Sequence, residues 1–104
     1  MAELEKQVER RLVEGVKHLG GRSYKWVSPG NVGVPDRIVI WPTGQVDFVE
    51  LKTVEGRLSP RQEIVILQLA EMGCSVRVLR GAEAVTGYLL EDHSKIIPEG
   101  GERK

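Results

Sequence analysis

The segment from Pro35 to Lys52 constrains the fold more than any other part of the chain. Pro-Asp-Arg-Ile-Val-Ile leads through Trp41 into a Pro-Thr-Gly turn, and Val-Asp-Phe-Val-Glu-Leu-Lys follows. Two runs of β-branched and aromatic residues around a turn signal predict a β-hairpin. Side chains alternate across a strand, so Val46, Phe48, Glu50 and Lys52 share one face while Asp47, Val49 and Leu51 share the other. Glu50 and Lys52 are therefore neighbours, and Asp36 heads the preceding strand. Apolar flanks (Ile38, Val39, Ile40; Phe48, Val49, Leu51) place the hairpin at the centre of a sheet, not at a wet edge. On an exposed strand Glu-x-Lys is only a weak surface ion pair. At the end of a buried strand the same charges are costly unless paired or bound to a metal. Two carboxylates converging there can hold a hard divalent cation, and the lysine can orient or activate a water. This is a phosphodiester-hydrolysing site in outline.

A chain of 104 residues makes one domain with a single core. Aromatics are 5% of residues, so aliphatic side chains must supply that core. Fifteen basic and fifteen acidic residues give a formal net charge of zero, which excludes binding to nucleic acid by a global field and leaves only local patches. The single cysteine, Cys74, cannot form an internal disulfide; it reads as a buried structural thiol in a reducing compartment and has no assigned role. No apolar run approaches the ~20 residues that span a bilayer, and charge begins at Glu3, so a cytoplasmic protein is expected. The polar stretch 98–104 reads as a disordered tail after a domain covering 1–97.

Leu4, Val8, Leu12, Val16 and Leu19 recur at helical spacing from about Ala2, and Gly20-Gly21 stops the pattern. Glu5 and Glu9 lie one step round from that stripe, at the border of core and solvent. Ser23 to Ser28 predicts a strand, Pro29-Gly30-Asn31 breaks it, and Pro35 keeps Val34 extended on entry to the Asp36 strand. Thr53 to Leu58 predicts a loop. Ser59-Pro60-Arg61-Gln62 is a capping-box pattern opening a helix through Ile64, Val65, Leu67, Leu69 and Met72, apolar over a wide arc and expected to lie on the sheet. Ser75 to Leu79 predicts a fourth strand and Ala82 to about Leu90 a last helix. The order is α, three β, α, β, α, which implies an α/β fold with a mixed sheet flanked by helices. His18 and His93 read as surface residues.

Trp26-Val-Ser-Pro-Gly, Gly33-Val-Pro-Asp-Arg-Ile-Val, Phe48-Val-Glu-Leu-Lys and Leu58-Ser-Pro-Arg-Gln, in this order and spacing, resemble the virus-type replication-repair nuclease (VRR-NUC) domain. That domain belongs to the PD-(D/E)xK nuclease superfamily, and the stand-alone phage and bacterial type is the nearest in kind. The resemblance runs to about Leu90. It implies the restriction-endonuclease-like αβββαβ core and a metal-dependent endonuclease that leaves 5′-phosphate and 3′-hydroxyl ends. Asp36 and Glu50 match the metal-binding carboxylates, the carbonyl of Leu51 the backbone ligand, and Lys52 the catalytic lysine. The first-helix glutamate matches Glu9, with Glu5 as the alternative. Gln62 matches a glutamine near the active centre, a role that competes with closing the capping box because one side chain could not easily do both.

Two carboxylates suit Mg2+, with Mn2+ possible, since magnesium keeps several waters and takes few protein ligands. Small stand-alone members of the family resemble Holliday-junction resolvases, which implies a homodimer acting on branched DNA or four-way junctions; a two-fold axis matches two symmetry-related strands. Lys25, Arg37, Arg57 and Arg61 are the candidate DNA contacts, with Arg10, Arg11 and Lys17 weaker. Apolar stripes on the first and last helices, with Trp26 and Trp41, are expected to leave surface for a second copy. A non-specific or restriction-type endonuclease, or an inactive nucleic-acid-binding domain of the same fold, would also fit the motifs.

Overall fold

The computed structural model describes residues 4–93. The elements are α1 (Glu5–His18), β1 (Arg22–Lys25), β2 (Arg37–Ile40), β3 (Val46–Lys52), α2 (Pro60–Glu71), β4 (Ser75–Arg80) and α3 (Gly81–Leu89). They form one four-stranded sheet in the order β1-β2-β3-β4. β1, β2 and β3 are antiparallel in turn and β4 runs parallel to β3, so the β2–β3 hairpin is central, as its apolar flanks require. The expected tail at 98–104 and the end of the 1–97 domain lie outside the described residues.

The core lies on one face of the sheet. Val39, Val49, Leu51 and Leu79 meet Val8, Leu12 and Val16 of α1 and Val85 and Tyr88 of α3. A Cβ on Gly15 would sit 2.2 Å from Leu89, so a glycine there lets α1 approach α3. The stripes of the first and last helices thus pack into the core, contrary to the expectation that they would be left for a second copy. Trp41 is likewise buried. Its Nε1 donates to Asp47 Oδ2 at 3.0 Å, and Tyr88 and Ser75 hydroxyls and the Gln45 amide also donate to Asp47. Burial works against the Asp47 charge, but these donors outweigh it and hold the carboxyl below its ordinary range. His93 stacks on Trp41 with ring centroids 3.8 Å apart, so it is not the surface residue expected.

The opposite face is thinly covered. α2 crosses near β4 and contains no buried residue; Ile64 and Leu67 are exposed and Met72, just beyond it, more so. Val65, Ile66 and Leu69 are half-buried toward β4, so the expected packing of its apolar arc on the sheet is only partly realised within one chain. β1 also stops at Lys25, three residues short of its expected end, because after the Trp26 N–H bonds Asp36 O at 2.9 Å the chain leaves the sheet. Cys74 is half-buried rather than buried.

Candidate active site

The antiparallel and parallel pairings bring four chain ends to one end of the sheet: Lys25 leaving β1, Arg37 entering β2, Lys52 leaving β3 and Arg80 leaving β4. Asp36 sits one residue before β2. Its Oδ2 accepts the Leu51 backbone N–H at 2.8 Å, which fixes the carboxylate against the end of β3 between Glu50 and Lys52. What the structure records of the Leu51 backbone at this point is that N–H, while its side chain is in the core.

Glu50 is 1% exposed. Oε2 accepts a hydrogen bond from Gln62 Nε2 at 3.0 Å and lies 3.4 Å from Lys52 Nζ. Oε1 is buried with no hydrogen-bond partner. Burial raises the Glu50 pKa first, the Asp36 charge beside it second, and Lys52 opposes them; Glu5 adds a smaller upward push, and the result is about 7. A cation bound at this carboxylate would displace its proton to solvent. Among the described residues no group of three or more His, Cys, Asp or Glu forms a metal cluster, so any cation here would rest on two side-chain carboxylates.

Gln62 serves the helix and the site at once. Its Oε1 accepts the Ser59 N–H at 2.8 Å, its own N–H bonds Ser59 Oγ at 3.1 Å, and its Nε2 is left to reach Glu50. The two roles that compete on the sequence are compatible, because the amide uses its oxygen for the cap and its nitrogen for the carboxylate.

The first helix offers two glutamates with different surroundings. Glu9 Oε2 takes Arg37 Nε at 2.9 Å and Nη2 at 2.8 Å, with Lys25 Nζ 3.6 Å away. Glu5, one turn earlier, is exposed, and its charge is felt by Glu50. Arg37 is committed to Glu9 and its side chain is 17% exposed, whereas that of Lys25 is 65% exposed. Arg57 and Arg61 are exposed at the loop and helix start beyond Lys52, and Arg61 Nε donates to Val32 O at 3.3 Å. Arg80 donates to Gly56 O and ties that loop to β4. Arg80 was not expected at this end; the parallel register opposite Lys52 puts it there, and that register is visible only once β4 is known to run beside β3.

The VRR-NUC domain model matches residues 3–83. "Putative nuclease p44" of Acyrthosiphon pisum secondary endosymbiont phage 1 is 43% identical over 94 residues, 90% of this chain and 91% of that protein. A solved structure titled "VRR_NUC domain" superposes with a TM-score of 0.80 at 28% identity, covering 86% of this chain and 97% of the other. A second, "VRR_NUC domain protein", has a TM-score of 0.70 at 20% identity over 86% and 87%, a likeness of fold alone. With its mixed sheet, its Asp36, Glu50 and Lys52 brought to one strand end, and these matches over most of its length, the chain belongs to the VRR-NUC nuclease family.

Proposed function

We propose that the chain is a metal-dependent DNA endonuclease that incises branched duplexes, four-way junctions above all, as a homodimer. The observation that carries the chemistry is the buried, unpartnered Glu50 Oε1 beside Asp36 and Lys52. A buried carboxylate oxygen without a donor is unfavourable unless something positive meets it. Asp36, Glu50 and the Leu51 carbonyl would hold Mg2+, or Mn2+ in its place, leaving the other positions to water and phosphate oxygens. A bound divalent cation supplies an acidified water and charge stabilisation at the phosphate.

The residues of the chain do the rest. Lys52 directs its ammonium at the attacking water or the phosphate oxygens and offsets charge as it builds. Gln62 holds Glu50 in one orientation. Glu5 is the open first-helix carboxylate, available to a water of the site, while Glu9 keeps Arg37 in place. Lys25, Arg57 and Arg61 meet phosphates, so binding weakens as salt rises.

The homodimer reading is supported by the thinly covered α2 face and by the symmetry of a junction, where two incisions are needed. A non-specific or restriction-type endonuclease would use the same chemistry without preferring a junction. A labelled immobile four-way junction and a linear duplex of equal length, each with Mg2+ and with EDTA, test both parts. Magnesium-dependent nicking concentrated on the junction is expected. No cleavage of either substrate with Mg2+ overturns the enzyme; equal cleavage of both substrates overturns the resolvase reading.

A further inference from the structure

The connection from β1 to β2 is a closed and braced excursion. The Trp26 N–H bonds Asp36 O at 2.9 Å across its neck, and the Asn31 N–H bonds Ser28 O at 3.0 Å within it. Trp26 lies against Phe48 with ring centroids 5.1 Å apart. Gly33, at φ +101°, lies so close to α2 that an added Cβ would come within 2.9 Å of Arg61 backbone oxygen, and Arg61 Nε holds Val32 O. Pro29 and Pro35 restrict the chain at either side. On this braced loop Val27 is 70% and Val32 72% exposed. Val54, on the loop leaving Lys52 at the same end of the sheet, is 67% exposed.

Isolated exposed valines are ordinary on a protein surface. Two on a braced loop whose neck is Asp36, with a third on the loop that follows Lys52, stand on the loops that border the site. An intact duplex shows phosphates, sugars and base edges to such a surface, and its apolar base faces are stacked out of reach. A branch point, nick or unpaired end exposes one base face, and a rigid apolar knuckle covers it at small entropic cost. We propose that Val32, flanked by Val27, abuts the unstacked base face at a discontinuity in the duplex and so sets the preference for interrupted DNA. This inference rests on the nuclease reading above and names the substrate feature recognised there.

The test compares the parent with a Val27→Ser, Val32→Ser double variant, both sites being exposed so that the thermal midpoint is retained. A junction carrying 2-aminopurine at the branch-point nucleotide is titrated in EDTA, and cleavage of junction and continuous duplex is then measured with Mg2+. Expected is a branch-point fluorescence change with the parent that the variant lacks, and a junction-to-duplex cleavage ratio reduced about tenfold through the junction alone, in line with the loss of an apolar contact of roughly 1–2 kcal/mol. A variant with the parental fluorescence change, or one that loses junction and duplex cleavage equally, overturns the inference. If the parent cleaves no DNA with Mg2+, the nuclease reading fails, and the fluorescence titration still decides whether the loop meets the base.

Discussion

Gln62 Nε2 donates to Glu50 Oε2 at 3.0 Å while Gln62 Oε1 accepts the Ser59 N–H, so the start of α2 and the buried carboxylate are fixed by one amide. The two functions can be separated by substitution. Gln62→Glu keeps an oxygen for Ser59 but sets a carboxylate against Glu50. It should retain most of the helix cap, push the Glu50 pKa further up, and lower cleavage at neutral pH by about tenfold or more, with recovery at higher pH. Gln62→Ala should also lose the Ser59 N–H contact while Ser59 Oγ keeps the backbone N–H of residue 62, costing about 0.5–1 kcal/mol. Full activity of Gln62→Glu at pH 7 would show that the Glu50 contact has no role in turnover.

Glu50 carries a pH signature in the metal-free protein. Its pKa is near 7 in the folded chain against an ordinary 4.5, so between these values the folded state holds a proton that the unfolded state has lost. Stability from this group therefore falls as pH rises from 4.5 and reaches its full penalty above about 7. Asp47 is shifted the other way from 3.8 and acts only at more acid pH. Glu50→Gln should abolish cleavage yet be more stable than the parent at pH 8 in EDTA, by roughly 1–3 kcal/mol. Asp36→Asn should also abolish cleavage with the fold retained. Thermal melts from pH 5 to 8 check this, and a Glu50→Gln protein less stable than the parent at pH 8 contradicts it.

Lys52 lies 3.4 Å from Glu50 and is the nearby positive charge that opposes its raised pKa. Lys52→Ala should reduce turnover by about a hundredfold or more while DNA binding in EDTA changes little. Because Glu50 then loses its counter-charge, the variant should also lose stability at pH 8 and regain it near pH 5. Loss of the folded state at every pH would make Lys52 a structural partner only.

The first-helix glutamates should separate in the same way. Glu9→Gln leaves the half-buried Arg37 without its carboxylate and should cost about 1–3 kcal/mol of stability. Glu5→Gln touches an exposed side chain whose charge acts on Glu50, so it should leave the melt unchanged and alter turnover and its pH profile. Reversal of the two outcomes, with turnover lost through Glu9 at an unchanged melt, would return the site role to Glu9.

Strand alternation made Glu50 and Lys52 neighbours, and Ser-Pro-x-Gln marked the start of α2, because both patterns depend on local geometry alone. Asp47 was harder to read: alternation puts it on the face of Val49 and Leu51, but the donors that make a carboxylate tolerable there include Ser75 and Tyr88 from distant parts of the chain. The same network buries Trp41. The spacing of Ile64, Val65, Leu67 and Leu69 shows that α2 has an apolar arc but not what covers it, since a helical period has no information about the partner surface. Glu5 and Glu9 could not be separated on the sequence because the cations that engage Glu9 are set by where β1 ends and β2 begins.

The uncovered side of that arc gives the last prediction. α2 has no buried residue, and Ile64 and Leu67, three positions apart and so on one side of the helix, are both exposed. The half-buried Val65, Ile66 and Leu69 face β4, which leaves the Ile64 and Leu67 side uncovered, and a second copy meeting it about a two-fold axis buries both sides together. In the homodimer proposed above, Leu67→Lys should therefore shift the protein to monomer in light scattering at micromolar concentration. It should leave the fold intact, because the residue is 58% exposed, and it should uncouple the two incisions of a junction so that singly nicked product accumulates. A Leu67→Lys protein that remains a dimer excludes α2 as the dimer surface, and a parent that is monomeric under the same conditions removes the homodimer itself.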